Sequence, residues 1–226
     1  MRACESETGL GWEEIVLTRF NLRFHEVLEA LNEGGGRNLL RKRIYFGKTV
    51  TPVEMDLETL PEGKDPLEGV PYKIVRLTPK MITDETFRFP LKGRELKADR
   101  NLEKGLRGYA FVKDDLVVGD IWCACPITKD EKVRHSDMDW LGIESRAGDV
   151  YAFDMYIEPR ERGSNLAAPF QSAALYALKA EGFRKVYGYY WTDYLPALWM
   201  HRLLKWKERG RVKVWRFFSF RGSSPV

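Results

Sequence analysis

The most constraining stretch of this 226-residue chain runs from Val150 to Ala180. Val150-Tyr151-Ala152-Phe153 is β-branched or aromatic and free of breakers, so it reads as a strand, continued by Asp154-Met155-Tyr156-Ile157-Glu158. Pro159 ends it, because proline donates no ladder hydrogen bond. Gly163, Ser164 and Asn165 are turn and cap residues. From Leu166 to Ala180 the pattern is helical, and Pro169 fits only in its first turn. A helix starting off such a turn presents unpaired backbone N–H groups with its dipole behind them. That arrangement suits a phosphate or pyrophosphate, and it also occurs in ordinary strand–helix connections.

The length allows one large domain, or a domain plus an extension. An apolar share of 44% can supply a full core. No run reaches the length of a membrane span, and the N-terminus lacks the apolar core of a signal peptide. The three cysteines, Cys4, Cys123 and Cys125, do not form a disulfide scaffold, so a reduced, cytoplasmic setting is expected. The net charge of +4 is unevenly spread. Residues 1–70 carry nine Lys/Arg against thirteen Asp/Glu, net −4, and residues 71–226 carry 28 against 20, net +8. A basic main body suits an anionic ligand, without the clustered charge of a dedicated nucleic-acid binder, so no nucleic-acid partner is expected.

Along the chain, Trp12, Ile15, Val16, Phe20, Phe24, Val27, Leu28 and Leu31 repeat mostly at three and four, predicting an amphipathic helix over 12–32. Gly34-Gly35-Gly36 stops it. Two extended runs follow, at 44–46 and 50–55, forming a hairpin or one bent strand, with Pro52 placing the second at an edge or bulge. The polar connector 61–69 divides an N-terminal extension, 1–70, from a main domain, 71–226. Then come a strand at 72–77, helices from Thr78 and over 93–104, a hairpin of 107–113 with 116–124, and a long loop at 126–148. After the opening strand, turn and helix, the reading gives a strand at 183–191, a helix from Thr192 or Asp193 to about Trp206, a strand at 211–218 and a frayed tail from Gly222.

Placed on this order, Arg162-Gly163-Ser164-Asn165-Leu166-Ala167 resembles the acyl-CoA-binding turn of the GNAT superfamily of N-acetyltransferases. That turn reads Arg or Gln, two residues, Gly, one residue, Gly or Ala. Arg162 and Ala167 match it, and Gly163 matches the common Arg-Gly beginning. Asn165 replaces the first motif glycine, and asparagine tolerates a left-handed backbone better than most residues. The lead-in Asp154-Met155-Tyr156-Ile157-Glu158-Pro159 is similar to the family's strand-plus-proline. In the last helix Ala197 matches the family pattern, while Tyr194 stands at its Asn position and His201 at its Tyr position. The resemblance covers roughly residues 71–220. It implies an α/β (α+β) fold: a mixed, mostly antiparallel central sheet flanked by helices, with the N-terminal helix-plus-strand region added. One strand is short at the end, so residues 44–56 are expected to complete the sheet, in the same chain or in a partner, which leaves a homodimer open.

The resemblance further implies an N-acyltransferase that moves an acetyl or other acyl group from acyl-CoA to the primary amine of a small molecule or peptide. Acetyl-CoA, or another acyl-CoA, is the implied co-substrate, and no metal is required. Its pyrophosphate would rest on backbone N–H groups of Gly163, Ser164, Asn165, Leu166, Ala167 and Ala168, helped by Arg160 and Arg162. Its pantetheine arm would run along Tyr156 and Ile157, with a backbone N–H near Ile157 stabilising the oxyanion. Asp154, then Glu158, are the candidate bases. His201 is the candidate acid, with Tyr194 or Tyr190 as substitutes. The alternative is a non-catalytic acyl-CoA sensor on the same fold; a nucleic-acid module using the basic tail ranks third. Cys123-x-Cys125 reads as buried packing, and His135-Ser136-Asp137-Met138-Asp139 as a solvated loop. The identity of the acceptor amine is not written in the sequence.

Overall fold

The computed structural model describes residues 45–63, 65–125, 133–144, 146–163, 165–217 and 220–226. The expectations for the helix at 12–32 and for Ser164 lie outside those residues. One sheet organises everything else. Its order is β2-β3-β4-β5-β6-β1-β8-β9, with the two-residue β7 also on β1. The strands are β1 (Tyr45–Asp56), β2 (Lys73–Arg76), β3 (Arg107–Lys113), β4 (Leu116–Ala124), β5 (Asp149–Ile157), β6 (Lys185–Trp191), β7 (Lys207–Glu208), β8 (Val212–Phe217) and β9 (Phe220–Pro225). Among these strands, the β5–β6 pair alone is parallel. The helices are α1 (Pro79–Thr83), α2 (Lys92–Glu103), α3 (Asp137–Trp140), α4 (Ala167–Ala180) and α5 (Leu195–Leu203). Among the described residues, no helix is long and apolar enough to cross a membrane.

β1 does complete the sheet, within the same chain. It lies between β6 and β8, pairing Val50 with Trp191 and Asp56 with Lys185 on one side and Tyr45 with Phe217 on the other. The polar connector 61–69 therefore links two parts of one sheet. Pro52 is not at an edge, contrary to expectation. Its carbonyl accepts the Arg209 N–H at 2.8 Å where the chain passes from β7 to β8 and the ladder on that side is interrupted. The missing proline N–H thus falls at a break in the neighbouring ladder. The tail is not frayed either: Phe220–Pro225 forms β9 against β8. The last helix ends at Leu203 rather than near Trp206, because Lys205 adopts a left-handed backbone and leads into β7.

The two faces of the sheet carry different layers. On one, α4 covers Val53, Met55, Phe111, Ile121, Val150 and Val186 through Phe170, Leu175 and Leu178, and Ala197 and Leu198 of α5 pack against the same cluster. Each such side chain contributes about 1.5–3 kcal/mol when fully buried. On the other face, α1 and α2 cover Val112, Val117 and Trp122, while Met138, Leu141 and Ile143 cover Val50, Tyr151 and Val214. Cys123 and Cys125 are both buried and unbridged, as the packing reading expects.

Candidate active site

β5 and β6 pair only through Asp149, Val150 and Tyr151. Beyond them the strands part. β6 continues along β1, and the rest of β5 continues along β4 as far as Gly119 opposite Ile157. On the side that faces β6, residues 152–157 therefore have no strand partner among the described residues. This is where the sheet can accept an extended ligand by backbone hydrogen bonds.

A bulge aims the side chains of this run. A three-residue step of β5, from Phe153 to Tyr156, opposes the two-residue step from Trp122 to Asp120, and Asp154 has φ +50°. Such an extra residue bends a strand and re-aims its neighbours. Ala152, Met155 and Ile157 pack toward α4 and α5, whereas Tyr151 and Phe153 pack on the opposite face. The step from Ala152 to Met155 is three residues, not two, so alternation shifts at Asp154.

A buried ionic cluster holds the bulge. Arg94 on α2 donates through Nε to Asp120 at 3.1 Å and through Nη1 to Asp154 at 3.0 Å, and its Nη2 also bonds Asp120. Lys97, one turn on, reaches the same Asp154 oxygen at 2.9 Å. Trp122 Nε1 donates to Asp120 at 2.8 Å. Burial pushes the Asp120 carboxyl up against the pull of Arg94, while the two carboxylates hold the Arg94 guanidinium charged. Asp154 is thus a partly exposed carboxylate with one oxygen, Oδ2, engaged by two cations.

Toward the end of β5 the side chains interlock. Tyr156 donates to Glu158 at 2.9 Å, with Arg94 over its ring at 4.8 Å and Arg162 at 5.6 Å. Burial and the Glu158 carboxylate push the Tyr156 phenol up. Arg162 folds back, donating to the Ile157 carbonyl at 2.8 Å, so it braces the strand end. Arg160 is exposed and, among the described residues, has no ion pair.

The turn then has the backbone that a glycine motif requires. Gly163 has φ +90° and Asn165 φ +55°, so asparagine occupies the left-handed position in place of glycine. Leu166 is the N-cap of α4 and makes no side-chain cap bond, and the first turn holds no acid. The N–H groups of Ala167 and Ala168 thus have neither an intrahelical partner nor a competing carboxylate. These residues fit a pyrophosphate: donors are present, the dipole favours the charge and the first turn of α4 carries no acidic side chain.

The candidate acids fall differently. Tyr194 is 55% exposed at the start of α5, whereas Tyr190 is buried with Thr51 and Glu208 beside its hydroxyl. His201 is buried, packed on Tyr190 and Trp206 with ring centroids 5.3 and 5.2 Å away. Its Nδ1 lies 2.7 Å from the Ala197 carbonyl, so Nδ1 carries the proton of the neutral ring. Burial lowers its pKa. At neutral pH its single N–H is already committed, leaving no proton on Nε2 to donate.

That burial has a stability consequence. The unfolded chain protonates this histidine near about 6.5, while the folded chain does not. Its contribution is therefore intact above that value and declines as pH falls below it. His201→Phe should flatten the decline between pH 8 and pH 5, measured by urea denaturation; an identical pH slope in both proteins would refute the assignment.

Four further residues belong to the site. Asp120 had a visible signal, a carboxylate inside Val117-Val118-Gly119-Asp120-Ile121-Trp122, where burial demands a cation. Arg94 and Lys97, three apart on a helix, share one face. Tyr189, on β6 beyond the parallel pairing, is partly buried, and Asp137 and Asp154 add to the burial that pushes its phenol up.

No protein-family model and no curated protein matches the sequence. Solved structures do match. A GCN5-related glucosamine N-acetyltransferase region within a fungal multi-domain GH3 β-N-acetylglucosaminidase superposes with TM-score 0.53 at 13% identity, over 80% of this chain and 22% of that one. A putative GNAT-family acetyltransferase from Novosphingobium aromaticivorans DSM 12444 gives 0.49 at 14% identity, over 79% of this chain and 66% of that one. A tandem GNAT protein from the clavulanic acid biosynthesis pathway gives 0.47 at 15%, over 79% and 53%. This chain spans between about half and two thirds of the latter two. With its parted parallel pair, bulged strand and uncapped helix start, the chain has the fold of the GNAT acetyltransferases.

Proposed function

We propose that the protein is an acyl-CoA-dependent N-acyltransferase. The observation that carries the proposal is the uncapped start of α4, behind left-handed Asn165, at the open end of the parted β5–β6 pair. Backbone N–H groups of residues 163–168 bind the pyrophosphate, and exposed Arg160 adds charge. The unpartnered edge of β5 at 155–157 takes the pantetheine arm as an added strand. Acyl-CoA supplies a thioester whose carbonyl carbon an amine nitrogen attacks. A backbone N–H near Ile157 stabilises the oxygen that becomes negative. Asp154 takes the proton from the attacking amine through Oδ1, since Arg94 and Lys97 hold Oδ2. Glu158, whose Oε2 accepts from Tyr156, is the second base. As the C–S bond breaks, Tyr194 or solvent returns a proton to the thiolate. The acceptor is a small-molecule or peptide amine, and the setting is cytoplasmic.

A second reading is a non-catalytic acyl-CoA sensor. It is favoured by His201, whose N–H is committed to Ala197 where the family carries its tyrosine. Calorimetry with acetyl-CoA, followed by thiol release with a panel of primary amines, separates the two. Binding in the micromolar range with thiol release from at least one amine is expected. Binding without release from any amine selects the sensor, and no binding at millimolar acetyl-CoA refutes both.

A further inference from the structure

The end of the β5–β6 pair opposite the opening holds a separate cavity. Its volume is about 630 Å³, within the range of small-molecule sites. Asp149, Lys185 and Asp56 stand side by side on its floor, as register partners on β5, β6 and β1. Tyr187 and Glu54 form the next row. Arg184 also lines it, with Nη2 donating to the Ala147 carbonyl at 3.1 Å. Asp149 and Ile157 lie at the two ends of β5, about 26 Å apart, so this cavity is distinct from the proposed acyl-CoA site.

The charges on the floor are held apart rather than joined. Asp149 is only 6% exposed, and its Oδ2 accepts from the Arg146 backbone N–H at 2.9 Å. Among the described residues, no donor reaches its Oδ1. A carboxylate so nearly buried calls for a cationic donor. Lys185 stands between Asp149 and Asp56 yet makes no ion pair with either; its Nζ lies over the Tyr187 ring, 5.9 Å from the centroid. Glu54, by contrast, is already paired with Lys207 at 3.1 Å. We propose that the cavity binds a zwitterion, a free α-amino acid, with its ammonium on Asp149 Oδ1 and its carboxylate on Lys185 and Arg184. A simple anion is repelled by Asp149 and Asp56, and a simple cation by Lys185 and Arg184. A ligand carrying both charges satisfies both sets. Neighbouring strands lie about 4.8 Å apart, so one small molecule reaches both Asp149 and Lys185.

Calorimetry on the full chain with the common free L-α-amino acids, one at a time and without acyl-CoA, tests this. At least one should bind with a Kd below about 1 mM. Its amide and its N-acetyl form each lack one of the two charges. Both should bind at least about tenfold more weakly, the loss of one charge-assisted hydrogen bond. Lys185→Met and Asp149→Asn should weaken binding by at least about the same factor. The asparagine oxygen still accepts from Arg146, so the turn is kept, and thermal melts without ligand confirm that each variant is folded. Failure of every amino acid to bind at millimolar concentration overturns the proposal. So does equal binding of the amide or the N-acetyl form, or undiminished binding by the folded Lys185→Met variant.

Discussion

Arg94→Met should lower the stability of the fold by about 3–5 kcal/mol, the range for breaking a buried ion pair from one side. For a domain of this size that corresponds to a melting temperature lower by about 10 °C. The cause is Asp120. It is buried in the middle of β4, and Arg94 is the cation that neutralises it there, with Trp122 as a further donor. Without Arg94 the fold holds an unpaired buried carboxylate, whose pKa rises beyond its already raised position. A carboxyl raised in the folded state favours folding below its unfolded pKa, and that contribution is lost as pH rises through the folded value. The penalty should therefore be larger at pH 8 than at pH 5. Asp120→Asn placed on the Arg94→Met background should recover part of the loss, because the amide oxygen still accepts from Trp122 and carries no charge. Urea denaturation of the three variants at both pH values reads this directly. A single-variant loss below about 1 kcal/mol, or one independent of pH, would show that the cluster does not hold the bulge.

The cluster also shows what a linear sequence hides. The strand, turn and helix of 150–180 were legible because each boundary carries local chemistry: Pro159 ends pairing, Gly163 and Asn165 take left-handed backbone, and Pro169 fits a first turn. The bulge at Asp154 was not legible. Nothing in Ala152-Phe153-Asp154-Met155 distinguishes a bulged strand from a regular one; the extra residue is fixed by the β4 register and by Arg94. β9 was missed for a related reason. Gly222-Ser223-Ser224-Pro225 has little strand propensity, and β8 holds it by pairing, with Trp215 lying so close over Gly222 that a Cβ there would fall 2.4 Å from the indole. In β1 the two short runs were legible as one bent strand or a hairpin that completes the sheet, but Pro52 pointed to an edge or bulge, and the place between β6 and β8 is set by pairing on both sides. His201 was legible as a residue in the family's tyrosine slot but not as a buried ring bonded to its own helix. That bond depends on Tyr190 and Trp206 closing around it.

The start of α4 gives the largest expected functional effect, because a charge placed there acts oppositely on folding and on binding. Ala168 lies in the first turn, half-buried, with its N–H unpaired and no acid nearby. Ala168→Glu puts a carboxylate at the positive end of the helix dipole. For the free protein that is favourable by about 0.3–1 kcal/mol, so the melting temperature should hold or rise slightly. For acyl-CoA binding it is unfavourable twice over. The carboxylate competes for the N–H groups that the pyrophosphate would use, and it repels the phosphates at short range. At an effective dielectric of about 20, two unit charges roughly 5 Å apart repel by about 3 kcal/mol, so acetyl-CoA affinity should fall at least about a hundredfold. Ala168→Gln supplies the control, since it adds the same bulk without the charge and should cost much less. Calorimetry on the three proteins, paired with thermal melts, separates the outcomes. A glutamate variant that binds acetyl-CoA as well as the glutamine variant would place the pyrophosphate away from α4, and with it the acyl-transfer reading of the β5–β6 opening would fail.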